Sequence, residues 1–241
     1  MQTPIVNLKG RTAIVTGGGR GIGRAVAKRF ACAGANVVVA SRTLDDLHDT
    51  RKMIERDGGG VLVVPVDVSE VAGVEQLISE TISAFGQIDV LVNNAGTAPL
   101  ATIDEMEPNL FDKIVRTNVR TVYLCSRGVW PHMVEHGEGV IINTASLAAY
   151  DAFPGFAAYG AAKAFVVAYT KFLAKEGADL GIRVYGVSPG AVETDMLRGA
   201  FPDFPSAMTL EPDDVAVMFE TLLSPAYRHS SGQTVIVSRT L

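Results

Sequence analysis

The sequence predicts an α/β fold: one parallel β-sheet with helices on both of its faces. Three observations predict it. Short β-branched runs alternate with helical stretches along the whole chain, which is the order of a sheet built through crossover helices. The runs are apolar at every position rather than every second one, as in strands covered on both sides. No repeat, linker or low-complexity tract interrupts the 241 residues, so 1–241 reads as a single domain.

The expected strands are Ala13–Thr16, Val37–Ser41, Val61–Val66, Val90–Val92, Val140–Asn143, Val184–Val187 and Thr234–Val237. Between them, apolar residues recur at helical spacing over Gly21–Ala33, Leu44–Asp57, Val71–Phe85, Asn109–Glu135, Ala157–Gly177 and Asp213–Leu223. The one long stretch without a period is 197–210. It carries Phe201, Pro202, Phe204 and Pro205, too apolar for a solvated loop, and is expected to be irregular chain lying over a site.

Composition excludes several classes. Hydrophobic residues make up 48% and charged ones 20%, enough for a core and too few charges for disorder. A net charge of −5 favours neither nucleic acid nor an anionic membrane as partner. No run of 18 apolar residues occurs, and Met1–Gly10 holds no leader-like apolar stretch, so the expected location is cytoplasmic. Cys32 and Cys125 lack metal-type spacing and read as buried apolar residues. His132 and His136 read as helix surface, and no metal site is expected.

The first strand runs directly into Gly17-Gly18-Gly19-Arg20-Gly21-Ile22-Gly23, where a helix begins. Glycines let the backbone turn sharply and approach a pyrophosphate, and the helix N-terminus offers N–H groups to it. No Gly-Lys-Ser/Thr follows, so this is not a P-loop. A carboxylate at the end of the second strand would hold the ribose 2′-OH of NAD. Here Ser41 and Arg42 stand instead, with Arg20 in the glycine loop, and two guanidiniums suit the 2′-phosphate of NADP(H). Asp45 and Asp46 read as first-turn residues of the second helix.

Tyr159 and Lys163 share one face of an otherwise small and apolar helix. A lysine would not be buried there without a partner. Its ammonium is expected to lower the phenol's pKa towards the range of a general acid/base. Ser146 ends the fifth strand at the sheet's carboxyl edge, placed to hold a substrate oxygen. Asn118 sits inside the fourth helical stretch, where asparagine is a poor interior residue. Either a bend or a water-mediated proton path accounts for it. Gly186-Val187-Ser188-Pro189-Gly190 has the form of a hydrolase elbow, but Pro189 lacks the N–H an oxyanion hole needs.

These residues together resemble the short-chain dehydrogenase/reductase family, close to 3-oxoacyl-acyl-carrier-protein reductases, from Leu8 to about Val237. The matching segments are Thr16–Gly23, Asp67-Val68, Asn93-Asn94-Ala95-Gly96, the set Asn118, Ser146, Tyr159 and Lys163, and Pro189-Gly190 with Thr194. The resemblance implies a doubly wound Rossmann sheet of seven strands in the order 3-2-1-4-5-6-7. It implies that Tyr159 is the acid/base, that Lys163 lowers its pKa and binds the nicotinamide ribose, that Ser146 positions the carbonyl and that Asn118 orders a relay water. Asp67 and Val68 would contact the adenine, Asn94, Ala95 and Gly96 would bind the cofactor after the fourth strand, and Pro189, Gly190, Val192 and Thr194 would meet the nicotinamide half. The implied reaction is reversible hydride transfer between NADP(H) and a ketone, aldehyde or secondary alcohol. A non-catalytic NADP-binding sensor is the alternative, although such relatives lose the tyrosine or lysine.

The chain departs from the family at three places. The stretch after Met196 is short, the end Val237-Ser238-Arg239-Thr240-Leu241 lacks a glycine pair, and Met133–Gly137 and Ala178–Gly181 are acidic or neutral. The last point argues against an acidic acyl-carrier protein as partner. An apolar rim of Leu147, Tyr150, Phe153, Phe156, Met196 and Leu197 suggests a medium-sized apolar carbonyl compound. The resemblance also implies a homotetramer or dimer, paired through the helices 109–135 and 157–177.

Overall fold

The computed structural model describes residues 3–239, so the expectations for Met1, Gln2, Thr240 and Leu241 lie outside the described residues. Seven parallel strands form one sheet in the order β3-β2-β1-β4-β5-β6-β7. They are β1 (Thr12–Thr16), β2 (Asn36–Ser41), β3 (Val61–Pro65), β4 (Val90–Asn93), β5 (Gly139–Thr144), β6 (Ile182–Pro189) and β7 (Thr234–Val237). The helices are α1 (Gly21–Cys32), α2 (Leu44–Arg56), α3 (Val71–Phe85), α4 (Pro108–Val115), α5 (Thr121–His136), α6 (Ala157–Gly177), α7 (Asp195–Ala200) and α8 (Pro212–Thr221).

The unbroken apolar runs follow from this layering. Along β1, Ala13 and Val15 face one core and Ile14 the other. The first core takes Phe30 of α1, Leu47 and Ile54 of α2 and Phe219 of α8. The second takes Leu77 of α3, Met133 of α5 and Leu173 of α6. A side chain of this size contributes about 1.5–3 kcal/mol when fully buried, so both faces of every central strand must be apolar.

Three expectations need correction. The fourth helical stretch is not one helix: five residues of π-helix, Arg116–Arg120, separate α4 from α5. Asn118 causes the break, since its Nδ2 donates to the Ile114 carbonyl at 3.0 Å and competes with the backbone for that acceptor. The stretch 197–210 is not wholly irregular. It lies partly in α7, capped where Thr194 Oγ1 accepts from the Leu197 N–H at 3.3 Å, and contains a 3₁₀ turn at Ser206–Met208. Cys32 ends α1 in solvent, whereas Cys125 is buried, and burial pushes its thiol up to about 12.

Candidate active site

β1 sits between β2 and β4, and the helices that follow β1 and β4 pack on opposite faces of the sheet. The carboxyl ends of the two strands therefore open a crevice. The glycine loop enters it with Gly17 at φ +65°, a conformation side chains resist. A Cβ on Gly23 would collide with the Gly17 carbonyl oxygen, so α1 can start against the loop only with glycine there. Arg24 Nε donates to the Gly19 carbonyl at 2.8 Å, and the Thr50 hydroxyl lies 3.0 Å from that of Gly18, pinning the loop from α1 and α2. The first turn of α1 holds no acidic residue and no side chain caps it, which leaves its N–H groups for an anion.

Above the loop is a cavity of about 570 Å³, within the range of small-molecule sites. The structure brings most of the expected cofactor contacts onto its wall: Gly17, Gly19, Arg20, Gly21, Ile22, Ser41, Arg42, Asp67, Val68, Asn94, Ala95, Gly96 and Thr194. Gly23 lies behind the loop. Pro189, Gly190 and Val192 do not line the cavity; Gly190 N donates to the Val237 carbonyl at 2.9 Å, and Val192 is buried in a bridge to Leu210. Arg20 Nη1 is 3.8 Å from Asp195 Oδ2, both side chains being exposed. Burial works to raise the Asp67 pKa, but the hydroxyl and N–H of Ser69, with Arg42 and Arg116 nearby, outweigh it and the net shift is downward.

Several wall residues escaped the sequence reading. Asp46 does stand in the first turn of α2, but that turn packs over Gly19 and carries the carboxylate to the cavity. Ser69, Arg116, Thr117 and Thr121 also line it. Arg116 Nε donates to Ser69 Oγ at 3.0 Å and pairs with Glu70. An Asp-x-Ser turn at Asp67–Ser69 was a readable signal, as the Ser69 N–H and hydroxyl both donate to Asp67 Oδ1. The position of Arg116 depends on the π-turn and had none.

The set Asn118, Ser146, Tyr159 and Lys163 gathers beside this cavity, behind Gly96. A Cβ on Gly96 would be 2.9 Å from Asn118 Oδ1 and 3.5 Å from Lys163 Nζ, so the missing side chain lets both approach. Asn118 Nδ2 donates to the Thr97 carbonyl at 2.9 Å, and Thr97 N donates back to Asn118 Oδ1 at 3.3 Å, joining the π-turn to the loop after β4. Ser146 follows β5 and its Oγ accepts from Ala148 N at 3.2 Å. Lys163 is 4% exposed, donates to the Thr144 carbonyl at 2.8 Å and lies 5.8 Å from the centroid of the Tyr159 ring.

The electrostatics correct one expectation. Burial pulls the Lys163 pKa down to about 8, still mostly charged at neutral pH. Burial pushes the Tyr159 hydroxyl up, and the Ser146 side chain pulls only partly back. The net shift on the phenol is therefore upward, set by its burial, while Nζ of Lys163 donates to the Thr144 carbonyl. A phenol that keeps its proton at neutral pH is an acid, which suits donation to an oxygen that gains negative charge. Among the described residues, no helix is long and apolar enough to cross a membrane.

Comparison with known proteins agrees with this arrangement. The family model described as short chain dehydrogenase matches residues 11–204. A 3-oxoacyl-acyl-carrier-protein reductase of Synechocystis is 36% identical, over 94% of this chain and 95% of that protein. The 3beta-hydroxysteroid dehydrogenase 1 of Eggerthella lenta is 34% identical, over 96% and 93% respectively. The crystal structure of a 3-ketoacyl-acyl-carrier-protein reductase from Brucella melitensis complexed with NADH superposes with a TM-score of 0.88 at 38% identity, covering 96% of this chain and 98% of that one.

Proposed function

The chain belongs to the short-chain dehydrogenase family of oxidoreductases, and from that premise we propose that it is an NADP(H)-dependent reductase of apolar ketones or aldehydes. The observation that carries this reading is the Tyr159–Lys163 pair, buried beside a cavity whose glycine loop, open helix N-terminus and exposed Arg42 guanidinium suit a phosphorylated dinucleotide. The bound dinucleotide would supply a hydride to the carbonyl carbon. Tyr159 donates its proton to the carbonyl oxygen, so that the C=O bond becomes CH–OH. Ser146 holds that oxygen while charge develops on it. Lys163 keeps an ammonium beneath the Tyr159 ring, and Asn118 holds the chain after β4 in place. Thr194 stands on the cavity wall and would meet the carboxamide there.

Preference for NADP(H) rests on Ser41 and Arg42 at the end of β2, where no carboxylate stands to hold a free 2′-OH. Arg20 reaches the same wall, where the carboxylates of Asp46, Asp67 and Asp195 oppose the two guanidiniums. Reduction is the favoured direction because cells usually keep the NADP pool reduced. The relatives' names span acyl thioesters and steroids, and the acidic or neutral stretches 133–137 and 178–181 favour a free small molecule over a carrier-bound one. Apolar side chains left exposed on α5 and α6, among them Tyr123, Phe165 and Phe172, suit a homotetramer.

Titrating NADPH and NADH into the purified protein tests the cofactor assignment. Tighter binding of NADPH is expected, and Arg42→Ala is expected to weaken it about 10- to 100-fold while leaving NADH binding within a factor of about two. Equal loss for both cofactors would remove Arg42 from the 2′-phosphate.

A further inference from the structure

Four phenylalanines form a ladder over the catalytic cluster, and the role assigned to them rests on the carbonyl-reduction reading of that cluster. Phe153 and Phe156 come from the loop that leads into α6, Phe201 and Phe204 from the chain after α7. Ring centroids lie 6.5 Å apart for Phe153–Phe156, 5.6 Å for Phe156–Phe201 and 6.5 Å for Phe201–Phe204, and Phe156 is 5.1 Å from the Tyr159 ring. None of the four belongs to the hydrophobic cores, and Phe153 is 48% exposed. Packing of the fold therefore does not account for them.

The chain that carries Phe201 is held in one shape. Arg198 Nε and Nη2 bridge both carboxylate oxygens of Glu193, at 2.7 and 2.5 Å. The same guanidinium donates to the Phe204 carbonyl at 2.5 Å and to Ser206 Oγ at 2.7 Å. Phe201 N donates to the Leu197 carbonyl at 2.7 Å. The Phe201 ring is thus delivered to one place, edge-on to Phe156 at 79°. Tyr159 is only 9% exposed, and Phe156, the ring beside it, is the one that Phe201 meets from the other side of the ladder.

We propose that Phe201 is a plug standing where a ring of the substrate lies, that Phe156 is the wall on which this ring packs, and that the substrate is a ketone with an aromatic or compact alicyclic ring beside its carbonyl. A rigid ring replaces the phenyl–phenyl contact like for like and keeps the edge or offset geometry such pairs prefer. An alkyl chain covers the same wall less completely and loses more rotamer freedom in doing so. The 5.1 Å step from Phe156 to Tyr159 places the wall beside the proton donor, so the ring and the carbonyl must be close neighbours in the substrate.

The test compares 1-indanone with 2-octanone under NADPH. The wild-type kcat/KM ratio is expected to favour 1-indanone by about tenfold or more, and Phe156→Ala to cut that ratio about three- to tenfold. Phe156→Leu, which keeps the volume and guards against misfolding, is expected to cut it as well. Phe201→Ala is expected to lower the KM for 1-indanone, because no ring has to be displaced. A wild-type preference for 2-octanone, an equal loss on both ketones in the Phe156 variants, or a raised KM in Phe201→Ala would overturn the proposal. Calorimetric titration of NADPH-loaded Tyr159→Phe protein separates the wall from the chemistry. Tighter binding of 1-indanone there, with neither ketone reduced by the wild type, supports the wall and counts against the reductase reading. Tighter binding of 2-octanone overturns the wall.

Discussion

Lys163 carries a charge where a charge is costly. Its ordinary pKa of 10.5 is pulled down to about 8 by burial, and the carbonyl of Thr144 is its acceptor. Between those two values the unfolded chain binds a proton that the folded chain has released, so this residue makes stability rise with pH across that window. Below pH 8 the folded state bears the full cost. Lys163→Met is therefore expected to stabilise the protein at neutral pH, by up to about 3 kcal/mol, with the gain shrinking from pH 8 to pH 10.5. Urea melts at neutral pH and near pH 10.5 check this, and a destabilised variant at neutral pH would contradict it. The same variant is expected to lose reductase activity, the mark of a residue kept for function against stability. The sequence showed that a lysine is buried beside Tyr159, because its helix is otherwise small and apolar. It did not show how deeply the phenol is buried, and so it misjudged the sign of the shift on it.

At the scale of elements, the break between α4 and α5 ties the fold to the site. Asn118 uses one amide to bend the helix and to hold the loop after β4, through Ile114 and Thr97. Asn118→Ala leaves the partly buried Thr97 carbonyl and N–H without these partners, which costs on the order of 1 kcal/mol per group. Thermal melting is expected to report that loss, and turnover to fall further than the shift in melting alone explains. Full activity in a destabilised variant would make the π-turn a matter of folding only. The strands were legible because both faces of the sheet are covered, which writes an unbroken apolar run into each one. The bulge was legible only as an awkward residue inside a helix: periodicity reports the face a helix buries, not the acceptor a side chain will take. The fold of 197–210 was hidden for a similar reason. The Glu193–Arg198 pair and the Thr194 cap hold it together, whereas its prolines and phenylalanines suggest loop.

For the whole molecule, the exposed aromatic side chains on α5 and α6 mark the surface through which copies are proposed to pair. Phe172 is 70% exposed, far more than a ring of its size would be if nothing covered it in solution. Light scattering after size exclusion is expected to give a four-chain mass, and Phe172→Glu to shift it to dimers or monomers. A wild-type monomer would contradict the proposal. The order of the sheet was legible only through resemblance, since alternation of strands and helices predicts a parallel sheet without saying which strands are neighbours. The glycine loop, Ser41 and Arg42 were legible as local chemistry. The assembled wall was not, because Asp46 and Arg116 reach it only through the packing of separate elements.

The central claim is that Tyr159 protonates a carbonyl beside a bound NADP(H). It is tested most directly by following the loss of NADPH absorbance with a panel of ketones, aldehydes and a 3-oxoacyl thioester, for the wild type and Tyr159→Phe. The expected result is turnover of at least one carbonyl compound by the wild type, falling by about three orders of magnitude or more in the variant, with NADPH affinity retained. Wild-type turnover that survives in Tyr159→Phe, or tight NADPH binding without turnover of any carbonyl compound, would contradict it.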